Sequence, residues 1–192
     1  MRLILTRHGE TDKNVAGLVY GTLPSKLTEN GQKQALELAA TLRTFKLDHI
    51  FCSDLDRCVE TAAPTIALHP RTPASYDALL REQGQGSLIG MQVKDVDWHN
   101  LPPDVETPDQ MADRARKFLS GLDLASDESA LIISHRRFLN TFVNVLLGVA
   151  PDRDDTGSLL KNSSLTIIDC RRVGEGTITK LNAADHLSNV LG

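Results

Sequence analysis

Three short apolar runs in this chain each end in charge, with a basic side chain at or just beyond the end. "RLILT" (residues 2–6) is followed by Arg7 and His8, within the stretch "LTRHGETDKN". "HIFCS" (49–53) leads into "DLDRC", which carries Arg57. "ALIIS" (130–134) delivers His135, with Arg136 and Arg137 directly behind it. A strand carried on into a core stays apolar, and a plain surface turn needs neither a guanidinium nor an imidazole. Guanidinium forks match the oxygens of an anionic group. Brought together, these ends would line a pocket for an anion. Singly, each has a duller explanation: a hydrogen-bonded turn histidine, a solvated helix arginine, a basic surface patch. The inference rests on their coincidence at matching positions, and by itself it names no reaction.

The elements around these ends explain why they should meet. Further strand-like runs are "SLTIID" (164–169) and "TITKL" (177–181). The runs at 49–53, 130–134 and 164–169 are continuously apolar, as expected when helices cover both faces of a sheet. Between them lie helical patterns. Residues 28–44 place Ala35, Leu38, Ala39 and Leu42 on one stripe. Residues 107–122 open with Thr107 as N-cap, Pro108 at the first helical position and Gln110 closing a capping box. After His135, Phe138, Leu139, Phe142, Val143, Leu146 and Leu147 recur at helical spacing, and Gly148 marks the stop. Strands alternating with helices predict a three-layer α/β/α sandwich on a mostly parallel sheet. In such sheets ligands bind beyond the carboxyl ends of the strands, where Arg7, His8, Arg57 and His135 all fall. Arg136 and Arg137 would stand at a helix N-terminus, against the helix dipole, unless an anion sits among them. Residues 83–106 break the regularity with glycines, prolines and weak periodicity. They read as a loop-rich insertion over the active-site edge of the sheet, a natural lid.

The bulk properties narrow the function classes. A length of 192 residues fits a single domain, 1–192, and 41% hydrophobic with 24% charged residues is ordinary for a globular chain. The net charge of -4 argues against a nucleic-acid partner or a polybasic membrane binder. No apolar run approaches the roughly 20 residues that span a bilayer. "MRLILTRHG" runs too soon into charge for a signal peptide, so cytoplasmic residence is expected. Cys52, Cys58 and Cys170 fit no metal spacing and read as buried thiols.

With these residues in place, the chain resembles the histidine phosphatase superfamily, which includes the cofactor-dependent phosphoglycerate mutases. "RHGETDKN" is similar to the family's Arg-His-Gly-Glu-Thr-x-x-Asn signature, and "LTENGQKQA" to its Leu-Thr-x-x-Gly-x-x-Gln-Ala segment. "CSDLDRCVETA" resembles the stretch carrying a phosphate-binding arginine. "LLREQGQGSLIG" resembles the segment with the acid/base carboxylate, and "ALIISH" the strand ending in the second histidine. The five blocks occur in the family's order over most of the chain. Departures stand at Arg136 and Arg137, where glycine is frequent, at Tyr20 and Pro24, where Gln and Asp are common, and at Ile89, in place of a glutamate. They lie around the pocket's rim and bear on substrate identity more than on the chemistry.

The resemblance implies a phosphatase acting on small phosphomonoesters without metal or other cofactor. His8 would attack phosphorus as a neutral imidazole, kept so by Arg7 and Arg57. The guanidinium forks and a protonated His135 would match the charge of the transferring phosphoryl group. Glu82 would be general acid and then base; from the residues alone, Glu10, Glu60 and Asp54 lie as near to strand ends. Asn14, Gly21, Thr22 and the backbone N–H of Arg136 are further phosphate-contact candidates, with a turn role the alternative for Gly21. Tyr20, Leu88 and Trp98 could form an apolar rim, and His49, His69, His99 and His186 read as packing or surface residues. Alternatives are phosphoglycerate mutase-type transfer, a non-catalytic phosphate sensor, and a metallohydrolase, which no ligand spacing supports.

Overall fold

The computed structural model describes residues 1–98, 100–153 and 160–188, so His99 and the remaining stretches of the expected 1–192 domain lie outside the described residues. Its strands are β1 (Arg2–Arg7), β2 (His49–Cys52), β3 (Ala74–Tyr76), β4 (Ser129–Ser134), β5 (Leu165–Asp169) and β6 (Thr177–Ala183). They form one sheet in the order β3-β2-β4-β1-β5-β6. The first four are parallel, whereas β5 pairs antiparallel with β1, and β6 antiparallel with β5. The helices are α1 (Asp12–Val15), α2 (Glu29–Leu42), α3 (Asp56–Leu68), α4 (Pro108–Leu119) and α5 (Arg136–Leu147).

Side-chain alternation divides the core into two layers. Leu3 and Leu5 of β1, with Ala130 and Ile132 of β4, pack against Met111 of α4 and Phe138 of α5. Ile4, Leu131 and Ile133 point the other way, onto Leu38 and Leu42 of α2 and Ala62 of α3. The central strands are apolar on both faces for this reason, and each buried Leu or Ile contributes about 1.5–3 kcal/mol. The predicted three-layer sandwich and mostly parallel sheet are what the chain adopts. The expected caps form too: Thr107 Oγ1 accepts from Gln110 N–H at 3.2 Å while Gln110 Oε1 accepts from Thr107 N–H at 2.8 Å. Gly148 ends α5 in the left-handed region, at φ 71°. The edge strand β3 escapes sequence reading, being three residues long and exposed throughout.

The 83–106 segment is more ordered than its composition implies. Two 3-10 turns, Gly86–Leu88 and Val93–Asp95, give it no helical or strand period. Leu88, Val96 and Val105 bury against Val19, with Trp98 and Leu101 half-buried beside them. Val19 N–H donates to Met91 O at 2.9 Å, and Gly90 N–H to Val19 O at 2.8 Å. The segment is therefore laced to the loop that follows β1. Leu88 is buried in that cluster, which corrects its expected place on an apolar rim.

Two glycines let the loop after β1 cross the start of α2. A Cβ on Gly9 would stand 2.6 Å from Gly31 O, and one on Gly31 only 2.0 Å from Glu10 O. Glu10 then ties the crossing down. Its Oε1 accepts from Thr28 Oγ1 at 2.7 Å, its Oε2 from Asn30 Nδ2 at 3.2 Å, and its N–H donates to Gln34 Oε1 at 2.8 Å. This clamp fixes the backbone that carries His8. Gly31→Ala should destabilise the protein by about 1–3 kcal/mol, the range for overpacking a close contact. Urea titration of both proteins measures it, and an unchanged midpoint would remove the crossing as a constraint.

Candidate active site

Neighbouring strand ends bring the two histidines together. β1 and β4 pair in parallel with Arg7 opposite Ser134, and His8 N–H donates to Ser134 O at 3.0 Å. The next residue on each strand is a histidine, and the two rings lie 5.3 Å apart, tilted by 58°. Both are buried, His8 at 1% exposure and His135 at 0%.

Hydrogen bonds assign the tautomers. His8 Nδ1 faces Gly9 O at 2.7 Å, and a carbonyl only accepts, so Nδ1 carries the proton and Nε2 keeps the lone pair. Burial, then the charges of Arg57 and Arg7, hold His8 well below the ordinary imidazole range, against a smaller opposing effect of the Gly9 bond. His135 Nδ1 receives Arg57 Nε–H at 3.1 Å, so it must be the acceptor. Its Nε2–H then donates to Ser53 Oγ at 2.8 Å. Burial first, then Arg57, His8, Arg7 and Arg114, push His135 well down as well. An imidazole nitrogen that accepts from a guanidinium is deprotonated, so this ring is neutral here, whereas the protonated His135 expected from the sequence is the form that would face a phosphoryl group.

Arg57 sits on the first turn of α3, buried at 1% exposure. Beyond His135, its Nη2 donates to Gly21 O at 2.7 Å and its Nη1 to Leu23 O at 3.1 Å and Ser25 Oγ at 3.4 Å. Its guanidinium carbon lies 4.7 Å from the centre of the Tyr20 ring. Gly21 adopts φ +48°, and a Cβ there would meet Gln85 Cγ at 2.9 Å. It therefore turns the chain so that its carbonyl meets Arg57, and the turn reading of Gly21 is the one its bonds describe. Arg7 donates from Nη1 to Leu160 O at 3.2 Å, while its Nε is buried with no partner among the described residues. Burial lowers Arg7 most, Tyr20 and Glu82 oppose this, and Arg136 and Arg57 add to it; a guanidinium keeps its charge regardless.

The carboxylate rivals separate on their partners. Glu10 is occupied by α2, Asp54 is forked by Arg81 at 2.6 and 2.5 Å, and Glu60 is exposed and accepts from Leu27 N–H at 3.3 Å. Glu82 accepts on one oxygen, Oε1, from Gln83 N–H at 3.0 Å and Phe138 N–H at 3.1 Å, placing it on the first turn of α5. Arg136 opens that helix, exposed, and its charge reaches Arg7. Asn14 donates to Tyr20 OH at 3.0 Å and caps α1 together with Thr11. Thr22 is exposed on the turn closed by Leu23 N–H to Tyr20 O, and no described residue bonds its side chain. Arg137 stacks on Trp98, 3.5 Å from its ring centre, joining the 83–106 segment to α5.

Several supporting residues had no role assigned from the sequence. Ser53 holds His135, and Thr61 Oγ1 joins Gly9 N–H at 2.9 Å to Arg57 O at 2.6 Å. Both stand in "CSDLDRCVETA", at the Ser and Thr of the family's pattern there, and Thr61, four residues after Arg57, lies on the same helix face. Asn162 Nδ2 donates to His8 O at 2.8 Å and comes from a remote loop with no sequence signal. Cys52, Cys58 and Cys170 are buried free thiols as expected. Among the described residues, no group of three or more His, Cys, Asp or Glu side chains could hold a metal ion, and no helix is long and apolar enough to cross a membrane.

Comparison with known proteins gives the family and the fold. A probable phosphatase of Schizosaccharomyces pombe is 31% identical, the match covering 98% of this chain and 96% of that protein. An adenosylcobalamin/alpha-ribazole phosphatase of Salmonella typhimurium is 36% identical, over 77% of this chain and 80% of that one. Among solved structures, YhfR of Bacillus stearothermophilus superposes with a TM-score of 0.85 at 27% identity, over 97% of this chain and 99% of that one. The sequence profile of the histidine phosphatase superfamily (branch 1) matches residues 3–184, and the chain belongs to that family.

Proposed function

We propose that the protein hydrolyses small phosphomonoesters through a phosphohistidine formed on His8. The observation that carries this reading is the buried, neutral His8, with Nδ1 tied to Gly9 O at 2.7 Å and its ring 5.3 Å from that of His135. His8 Nε2 attacks phosphorus as the bond to the leaving oxygen breaks, and Glu82 supplies the proton that oxygen needs. Water then attacks the phosphohistidine, Glu82 takes its proton, and phosphate leaves with His8 again neutral. Arg7, Arg57 and the N–H groups at the start of α5 stabilise charge on the equatorial oxygens. His135 serves as a neutral member of the Arg57–His135–Ser53 chain. Residues 83–106 are the lid of one 1–192 domain in this reading, and the three free thiols fit a reducing cytoplasm.

His8→Ala should lower kcat by about 10³-fold or more. Rapid quench with ³²P-labelled substrate should trap an acid-labile label on the wild type and none on the variant; an unlabelled wild type during fast turnover would end the proposal. Substrate choice separates hydrolysis from the mutase alternative: p-nitrophenyl phosphate should be cleaved and phosphoglycerates not interconverted.

The acidic limb of kcat/KM has a definite sign. A lowered His8 stays neutral as pH falls through about 6.5, the free imidazole value. Activity should therefore persist below that pH and fall only further down. A limb centred at or above 6.5, on a substrate whose own phosphate does not titrate there, would contradict a neutral nucleophile.

A further inference from the structure

Arg114 of α4 bonds to the loop that carries Glu82. Its Nε and Nη2 fork the Glu106 carboxylate at 2.6 and 2.9 Å. Its Nη1 donates to the carbonyls of Leu79 and Arg81 at 2.6 and 3.0 Å, and Nη2 reaches the carbonyl of Glu82 itself at 3.4 Å. Its guanidinium carbon lies 4.6 Å from the centre of the Phe138 ring. Phe138 is the residue whose N–H bonds the Glu82 carboxylate.

Glu106 completes the frame at the far end of the 83–106 segment. Its Oε2 also accepts from Gly84 N–H at 2.9 Å, and its carbonyl from Gln83 Nε2 at 2.6 Å. Its own N–H donates to Gly84 O at 2.8 Å. One ion pair thus holds the main chain on both sides of Glu82.

The pair is about four-fifths buried, at 21% and 18% side-chain exposure. Stability is a weak reason for such a pair, because desolvation offsets most of its attraction and apolar side chains could fill the same space. Only a guanidinium supplies directed donors to several carbonyls at once. Those carbonyls belong to a stretch with no ladder partner on either side of Glu82; Phe138 N–H holds the carboxylate itself, Ser134 Oγ donates to Leu80 O and Arg81 pairs with Asp54, but only the clamp bonds the main chain both before and after Glu82. Misplacing a reacting group by 1 Å costs on the order of 10²-fold in rate.

We propose that Arg114, locked by Glu106, is a positioning residue for Glu82. It keeps residues 79–84 in register with the first turn of α5, so that the carboxyl meets the leaving oxygen. The inference rests on the reading of Glu82 as general acid, and the test separates the two.

The test is a series of aryl and alkyl phosphates of rising leaving-group pKa, with log kcat/KM plotted against that pKa. The parameter reports steps through P–O cleavage, and a well-placed acid flattens the plot. Glu82→Gln should steepen it most. Arg114→Met and Glu106→Gln should steepen it less, alkyl phosphates losing about tenfold more than p-nitrophenyl phosphate, and Arg114→Lys should recover part of the loss. Arg114→Met orphans three carbonyls, so Glu106→Gln is the gentler variant, with circular dichroism confirming its fold. If both clamp variants slow every substrate by one factor while Glu82→Gln steepens the plot, the positioning role is overturned and the Glu82 reading stands. A wild-type slope in Glu82→Gln removes the acid and its positioning together.

Discussion

The site depends on burying the Arg57 guanidinium without a carboxylate partner. A buried charge is costly unless it is paired or fully hydrogen-bonded. Here its partners are the carbonyls of Gly21 and Leu23, the Ser25 hydroxyl, the Tyr20 ring and an imidazole nitrogen. The oxygens and the imidazole nitrogen accept its N–H groups and the ring lies against its face, all leaving the positive charge uncancelled. The left-handed turn at Gly21 presents one of those carbonyls, and Thr61 links the backbone of Arg57 to Gly9 beside His8. A pocket assembled this way holds its cation in place before any anion arrives, so little reorganisation is left for the reaction itself.

The same charge governs both imidazoles. Arg57 lies behind burial as the second cause that lowers His8 and His135. In the proposed reaction this suits His8, because a lone pair at Nε2 is what phosphorus would meet. His135, in the same field, accepts from Arg57 and donates to Ser53 as a neutral ring. It also links stability to pH: an imidazole lowered on folding binds fewer protons than in the unfolded chain, so the contribution present above the unfolded pKa is lost as pH falls below it.

What was legible in the sequence follows from which features are local. Arg7, His8, Arg57 and His135 stood out because each lies at or just beyond the end of an apolar run, and parallel pairing of those runs then puts their ends side by side. The capping box at Thr107 and the stop at Gly148 were equally local. The protonation of His135 was not, since it turns on a single contact between α3 and β4, residues 57 and 135. Nor was the choice of Glu82 over Glu10, Asp54 and Glu60, because it depends on Thr28, Asn30 and Arg81 occupying or pairing two of the others. Asn162 and Arg114 carry no mark at all in the chain; a polar side chain on a remote loop or helix becomes informative only once its carbonyl partners are known.

The site also divides by rigidity. Arg7, His8, Arg57 and His135 hang from strand ends and one helix start, where neighbouring ladders fix the backbone. Glu82 and the 83–106 segment belong to irregular chain whose order comes from the small cluster around Val19, the Trp98–Arg137 stack and the Arg114–Glu106 pair. In the proposed reaction phosphate, the constant part of any phosphomonoester, meets the rigid half. The alcohol, the variable part, then faces the half made of loops, where substitution disturbs the sheet least. Ile89, in place of the family's glutamate, and Arg137 belong to that variable side, whereas Arg7, His8, Arg57 and His135 match the family pattern. On that reading substrate choice varies with residues 83–106 and the first turn of α5, while phosphoryl transfer stays with the sheet.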